Sequence, residues 1–247
     1  MRYFIDLAYL GKPFHGWQRQ PGDISVQEVI ENALTTLLRQ ETAVTGAGRT
    51  DAGVNARRMI AHFDMPQVAD SEQLEQLARS LDALCGRDIV IRKIYPVADD
   101  MHARFSATSR TYRYFASSRR SPFVGDLVWM TGRQLDYEKM NQAAKILLDV
   151  EDFTSFAKLH SDTKTNICHV THAAWEPVAG VEDTMVFVIT ADRFLRNMVR
   201  AVVGTLVEVG RGKMSLDEFR GVIEAKNRCS AGNSMPAEAL FLWDITY

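Results

Sequence analysis

Apolar residues fall at every second position at the start of the chain. Tyr3, Ile5, Leu7 and Tyr9 share one side of an extended segment, which predicts a strand with one buried face. The turn-rich stretch GKPFHGW follows. Ser25 and Glu28 then have the S-x-x-E spacing of a capping box at a helix start. Behind them Val26, Val29, Ile30, Ala33, Leu34, Leu37 and Leu38 keep the three-and-four spacing of an amphipathic helix. After a glycine-rich loop, Met59, Ala61 and Phe63 predict a second strand. A helix over residues 71–85 rests on Leu74, Leu77, Ala78, Leu81 and Leu84, and DIVIRKIYPV reads as a third strand.

The second half repeats the rhythm. TYRYFAS is a strand, and Asp136 caps a helix carrying Met140, Ala143, Ala144, Leu147 and Leu148. HVTHAAWEPV and TMVFVIT are two further strands. An apolar helix is expected from about Phe194 to Val209, stopping at Gly210. Ser215 and Glu218 form another capping box, and LFLWDITY closes the chain as a strand. The fold class is therefore α+β. We expect two similar modules of split-βαβ (ferredoxin-like) type, their mixed or antiparallel sheets joined, with helices on one face. The expected boundary lies near residues 98–104, giving modules 1–100 and 101–247.

Composition narrows the function classes. With 247 residues the chain can bury a substantial core without disulfides, and Cys85, Cys168 and Cys229 are odd in number and form no C-x-x-C. They read as reduced thiols of a cytoplasmic protein. No apolar run is long enough for a membrane span. The net charge of −2 argues against non-specific coating of nucleic acid but leaves room for a local basic surface.

Such a surface is visible between Met101 and Gly125. Arg104, Arg110, Arg113, Arg119 and Arg120 occur there with no Asp or Glu, interleaved with Phe105, Tyr112, Tyr114, Phe115 and Phe123. On a strand, Arg110, Tyr112 and Tyr114 share one face and Arg113 and Phe115 the other. Cations beside aromatic rings suit phosphates and unstacked bases; the same pattern also suits a half-buried strand with solvated arginines. Arg193, Arg196 and Arg200 would line one stripe at the margin of the expected apolar helix, where a guanidinium needs a carboxylate or phosphate partner.

The most unusual stretch is GAGRTDAGVNARR, residues 46–58. Gly46, Gly48 and Gly53 permit tight or left-handed backbone. A carboxylate among guanidinium groups keeps its negative charge, so Asp51 suits a nucleophile or an electrostatic stabiliser better than a general acid. The pattern also suits a structural role in which Asp51 caps a turn and Arg49 pairs with it. His169 and His172 have H-x-x-H spacing, but on a strand they point to opposite faces and make a poor metal site.

Taken in order, GKPFHGWQRQ, TGAGRTDAGVNA, SRTYRY, DFTSF and FLRNMVRAVVGTLVEVG resemble the TruA-type tRNA pseudouridine synthase family over essentially the whole chain. The resemblance implies an isomerase that converts uridine to pseudouridine in the anticodon stem-loop of tRNA, at positions 38, 39 and 40. It implies no cofactor and no metal. It implies a homodimer whose two modules flank a central cleft, with tRNA as partner. By the same resemblance Asp51 is the nucleophile and Arg49 holds or flips the nucleotide. Tyr112 stacks on the target base, and Arg200 pairs with the aspartate. Arg110, Arg113 and Arg196 are further candidates for RNA contact. One departure is Ala239, which occupies a position where the family pattern has glycine. A non-catalytic tRNA-binding module is the competing reading; a glycoside hydrolase would need a second, well-placed carboxylate.

Overall fold

The structure is a computed structural model that describes residues 1–66, 68–122, 125–158 and 163–247. It is a mixed α+β fold with two compact units. The first comprises Met1–Thr108 and Leu242–Tyr247, and the second Ser109–Phe241. Phe123 lies outside the described residues.

The first unit is built on β1 (Arg2–Tyr9), β3 (Asn55–Asp64) and β4 (Ile89–Val97), with β1 central and antiparallel to both neighbours. The two-residue β2 (Thr45–Gly46) pairs with β3. Helix α1 (Val26–Leu38) packs on α2 (Ser71–Cys85), and α2 packs on β4. Register sets Ile5 opposite Ala61 and Ile94, and Tyr3 opposite Phe63, so the alternation seen in the sequence becomes one layer of core. The other face of β1 is covered too. Phe4 is buried among the rings of Tyr95, His62 and Tyr247, and Asp6 is buried beside Arg58, whose Nε donates to Asp6 Oδ2 at 2.9 Å. A central strand with both faces covered needs no strict alternation, which is why Phe4 and Asp6 were missed as interior positions.

The second unit pairs β5 (Ser109–Ser117) with β8 (Thr184–Ala191), and β8 with β7 (Val170–Pro177), all antiparallel. The two-residue β6 (Trp129–Met130) runs parallel to β5, which makes the sheet mixed. Helix α3 (Tyr137–Ile146) packs on β7, on α4 (Met198–Gly210) and on α5 (Leu216–Glu224). A Cβ at Gly210 would strike Met140, so that glycine is an approach point between α3 and α4. The left-handed residue beyond the helix is Gly212, at φ +68°. The closing strand β9 (Leu240–Thr246) contributes Leu240 and Phe241 to the second unit and its remaining residues to the first, where it lies next to β3. Ala239 is buried and accepts the Phe115 N–H at 3.0 Å; its backbone is not left-handed, so alanine fits there.

Helix ends follow local chemistry with some departures. Ser215 and Glu218 close a reciprocal capping box, as expected. Ser25 accepts from the Glu28 N–H, but the Glu28 carboxylate turns instead towards Arg19, 3.7 Å away. Asp70 and Gln73 form a full box that the D-x-x-Q spacing permits. Leu84 and Leu148, expected in the core, are exposed: α2 buries a narrower stripe than its periodicity allows, and α3 ends at Ile146, so that Leu148 falls in a 3-10 turn beyond it. No helix among the described residues is long and apolar enough to cross a membrane. Burial pushes the Cys85 and Cys168 thiols up to about 12, while Cys229 is exposed.

The buried His62 imidazole is pushed down from 6.5 to about 4, first by burial and then by the Arg2 guanidinium. Between those values the unfolded chain takes up a proton that the folded chain refuses. Stability from this group is therefore complete above about pH 6.5 and declines on acidification towards pH 4. In urea titrations at a series of pH values, His62→Gln is expected to flatten that part of the profile; an unchanged slope would remove His62 as its source.

Candidate active site

The loop around Asp51 is fastened from below by the turn that precedes α1. Gly16 has φ +90°, and a Cβ there would sit 2.5 Å from the Thr50 carbonyl oxygen. The Trp17 N–H donates to that same carbonyl at 3.2 Å. Trp17 is buried, and its indole lies where a Cβ on Gly46 would go. Tyr9 Oη and Thr50 Oγ1 share a hydrogen bond of 2.9 Å inside the unit. Ala47 donates to the Ile60 carbonyl at 2.8 Å, which ties the start of the loop to β3.

The far side of the loop is a tight turn. The Val54 N–H donates to the Asp51 carbonyl at 3.1 Å, with Gly53 left-handed at φ +80°. Asn55 Oδ1 accepts the Gly11 N–H at 2.8 Å, and a Cβ on Gly11 would collide with the Val54 carbonyl. The glycines therefore have separate jobs. Gly46 makes room for Trp17 and Gly53 supplies a left-handed turn. Gly48 does neither, since nothing approaches it within 4 Å and its φ is not positive. The result is a half-buried Asp51 and an exposed Arg49 on either side of a buried Thr50. GKPFHGW, which reads as a plain connecting loop, is the support for this one; the signal was its pair of glycines and its tryptophan.

In the second unit the candidate residues gather along β5 and the segment that follows β8. Tyr112 meets Phe194 edge to face, with ring centroids 4.9 Å apart. Arg110 Nη1 donates to the Asp192 carbonyl at 2.7 Å. Tyr114 is fully buried; burial raises its phenol well above the ordinary range, against a smaller opposing effect from Arg200. Arg110, Tyr112 and Tyr114 thus share the face that the sequence spacing assigned to them. Arg113 alternates to the other face and is half-buried.

The arginine stripe does not form as expected. Helix α4 begins at Met198, so Arg193 and Arg196 precede it. Asp192 Oδ1 accepts the N–H groups of Arg193 and His169 at 2.7 and 2.8 Å, and Asn197 is left-handed at φ +67°. These two features hold residues 192–197 out of the helix. Arg196 is exposed, and its carbonyl accepts the Lys158 N–H at 3.0 Å. Only Arg200 lies on α4, in its first turn. Its Nε donates to the Met235 carbonyl at 2.6 Å, while its own carbonyl accepts the Met235 N–H at 3.1 Å. Segment 232–235 can lie that close because a Cβ on Gly204 would overlap the Asn233 carbonyl. Among the described residues, no three His, Cys, Asp or Glu side chains converge to hold a metal. His169 precedes β7, and His172 faces Glu176 at 3.3 Å.

Comparison with known proteins agrees over the full length. A family model described as tRNA pseudouridine synthase matches residues 143–247. The chain is 55% identical to tRNA pseudouridine synthase A of Parabacteroides distasonis, covering 100% of this chain and 96% of that protein. It is 52% identical to the protein of the same name from Bacteroides thetaiotaomicron, covering 100% and 90%. With the Bacillus subtilis tRNA pseudouridine synthase A it shares 36% identity over 100% of this chain and 99% of the relative.

The loop geometry separates two glycine substitutions that composition alone would treat alike. Gly16→Ala is expected to cost about 1–3 kcal/mol, from a left-handed backbone and a contact with the Thr50 carbonyl. Gly48→Ala is expected to be neutral within about 0.5 kcal/mol. Equal melting shifts for the two would refute the proposed support.

Proposed function

The chain belongs to the tRNA pseudouridine synthase family, and from that membership we propose that it isomerises uridine in the anticodon stem-loop of tRNA, at positions 38, 39 and 40, with Asp51 as nucleophile. It is an isomerase that acts on tRNA. The reaction breaks the N-glycosidic bond, turns the base, joins its C5 to C1′ of the ribose, releases the C5 proton and places a proton on the freed N1. Atoms are conserved, so no co-substrate enters the balance.

The observation that carries the role of Asp51 is the fastening of its loop. Its neighbour Thr50 is held by main chain on one side and by the Tyr9 hydroxyl on the other. A carboxylate positioned before substrate arrives does not lose that freedom during the reaction. The module comprising residues 1–100 carries this catalytic loop. Residues 101–247 supply Tyr112, for stacking on a base taken out of its helix, and Arg200, as the cation that accompanies the aspartate. Arg49 holds the everted nucleotide, and Arg110, Arg113 and Arg196 contact phosphates. The tie from Arg200 Nε to the Met235 carbonyl supports this role, because it fixes the direction of the guanidinium. The enzyme works as a cytoplasmic homodimer of ferredoxin-like modules and needs neither cofactor nor metal.

Tritium release from tRNA labelled at uridine C5 tests the reading. Asp51→Ala and Asp51→Asn are expected to lose release by at least about a thousandfold while still binding tRNA, as for loss of a covalent nucleophile. Release by Asp51→Ala would overturn the assignment. Binding by the wild type with no modified base would favour a non-catalytic tRNA-binding module instead. If Tyr112 acts by stacking, Tyr112→Phe keeps most of the rate and Tyr112→Ala loses about tenfold or more; equal losses would shift the role to the hydroxyl.

A further inference from the structure

The turn before β5 presents an aromatic ring to solvent in a way that core packing does not explain. Phe105 is 76% exposed, although phenylalanine is ordinarily an interior residue. Its position is nonetheless well determined. The N–H groups of Arg104 and Phe105 both donate to His102 Nδ1, at 3.1 and 3.3 Å. The His102 N–H donates to Ser106 Oγ and the Ser106 N–H to the His102 carbonyl, each at 2.9 Å. The Ala103 N–H donates to His62 Nδ1 at 3.1 Å, which anchors the turn to β3.

Rings continue from the core to this surface. Phe4 lies 6.4 Å from His62, His62 4.7 Å from His102, and His102 4.4 Å from Phe105, with the last pair inclined by 35°. Phe105 is the outer end of that column. One side of its ring packs on His102, the Arg104 side chain reaches over the ring, and most of the residue is exposed. The Arg104 guanidinium lies 5.6 Å from the ring centroid. An aromatic face held from below, with a cation beside it, has the two elements that bind a single-stranded nucleotide: a surface for the base and a charge for the phosphate.

We propose that Phe105, with Arg104 beside it, is a stacking platform for an unpaired nucleotide of the bound tRNA other than the uridine being isomerised. The proposal rests on the tRNA reading above. Phe105 lies outside the set assigned to the chemistry and contributes to substrate binding. Because the ring is exposed, its removal leaves the core intact.

The test measures affinity for unmodified tRNA transcript by fluorescence anisotropy, together with pseudouridine formation and melting temperature. Phe105→Ala and Phe105→Leu are expected to weaken binding about tenfold with unchanged melting, since leucine retains the volume but not the flat face. Phe105→Trp is expected to restore wild-type affinity. The maximal rate at saturating tRNA should stay near that of the wild type, so the loss appears in KM and not in kcat. Wild-type affinity in Phe105→Ala would overturn the platform while leaving the synthase reading intact, provided that the wild type still forms pseudouridine. Equal affinity of Phe105→Leu and the wild type would also overturn it, because apolar volume would then suffice. A change in the sedimentation of the free protein on Phe105→Ala, without any loss of RNA affinity, would make the residue a contact between subunits and equally overturn the proposal. Failure of the wild type to bind or modify tRNA would remove both readings.

Discussion

The position of Asp51 depends on how closely one turn of backbone can approach another. At Gly16 the chain passes so near the Thr50 carbonyl that a β-carbon has no place, and the left-handed φ of +90° adds a second demand that glycine alone meets without strain. The contact is one link of a longer chain. Val26 and Gln27, in the first turn of α1, donate their N–H groups to the carbonyls of Gly16 and Trp17, and Trp17 donates onward to Thr50. A helix start, a turn and the loop bearing the acid are thus hydrogen-bonded in series. The turn's carbonyls satisfy two orphan donors at the helix start, and the Trp17 N–H of the same turn satisfies the Thr50 carbonyl of the loop. Removing any member exposes polar groups in a buried place and frees the loop.

The second unit solves a similar problem with different parts. Arg200 must be held at the margin of an apolar helix, where a flexible side chain would otherwise sample many rotamers. The Met235 carbonyl receives its Nε, and the Met235 amide returns to the Arg200 carbonyl. The segment bearing Met235 reaches α4 only because Gly204 and Gly232 face each other without side chains. Thr205 reinforces the approach, donating to the Ala201 carbonyl and accepting the Gly232 N–H at 2.8 and 2.9 Å. Small residues on the helix act as a seat for main chain, which then orients a charged side chain. Order at Arg200 comes from packing one layer behind it.

What could be read from the sequence divides along the range of the interactions. Strands and helices were legible because their periodicity is local, and the capping box at Ser215 and Glu218 needs only four residues. The candidate loop stood out by composition, but its pattern alone suits a capped turn as well as a nucleophile, and only the family resemblance favoured the second. The support for that loop was not legible, because Gly16 and Trp17 act on Thr50 and Gly46 across more than 25 positions, beyond the reach of any local pattern. The start of α4 was misjudged for a related reason. Apolar residues continue at helical spacing from Phe194, but Asn197 takes a left-handed conformation and hydrogen-bonds to Ser234, so a distant contact overrides the local period. That override displaced Arg193 and Arg196 from the stripe in which spacing had placed them.

The mild acidity of the chain is compatible with a polyanionic substrate once charges are followed individually. Much of the acid in the first unit is matched locally. Asp64 meets Arg2 at 2.8 Å, Asp244 meets Arg58 at 2.8 Å, Asp6 lies between Arg58 and Arg92, and Glu31 faces Arg19 at 3.6 Å. Such pairs cancel over a distance shorter than the screening length of physiological salt, so they add little to the field felt by an approaching RNA. Residues 101–125 contain five arginines and no acid of their own, although Arg119 meets Asp183 at 3.8 Å. A net charge summed over the whole chain averages these two populations and hides both. A chain of small net negative charge is suited to recognition at defined places over general adhesion, because sequence-independent adhesion to RNA rests on a net excess of cations.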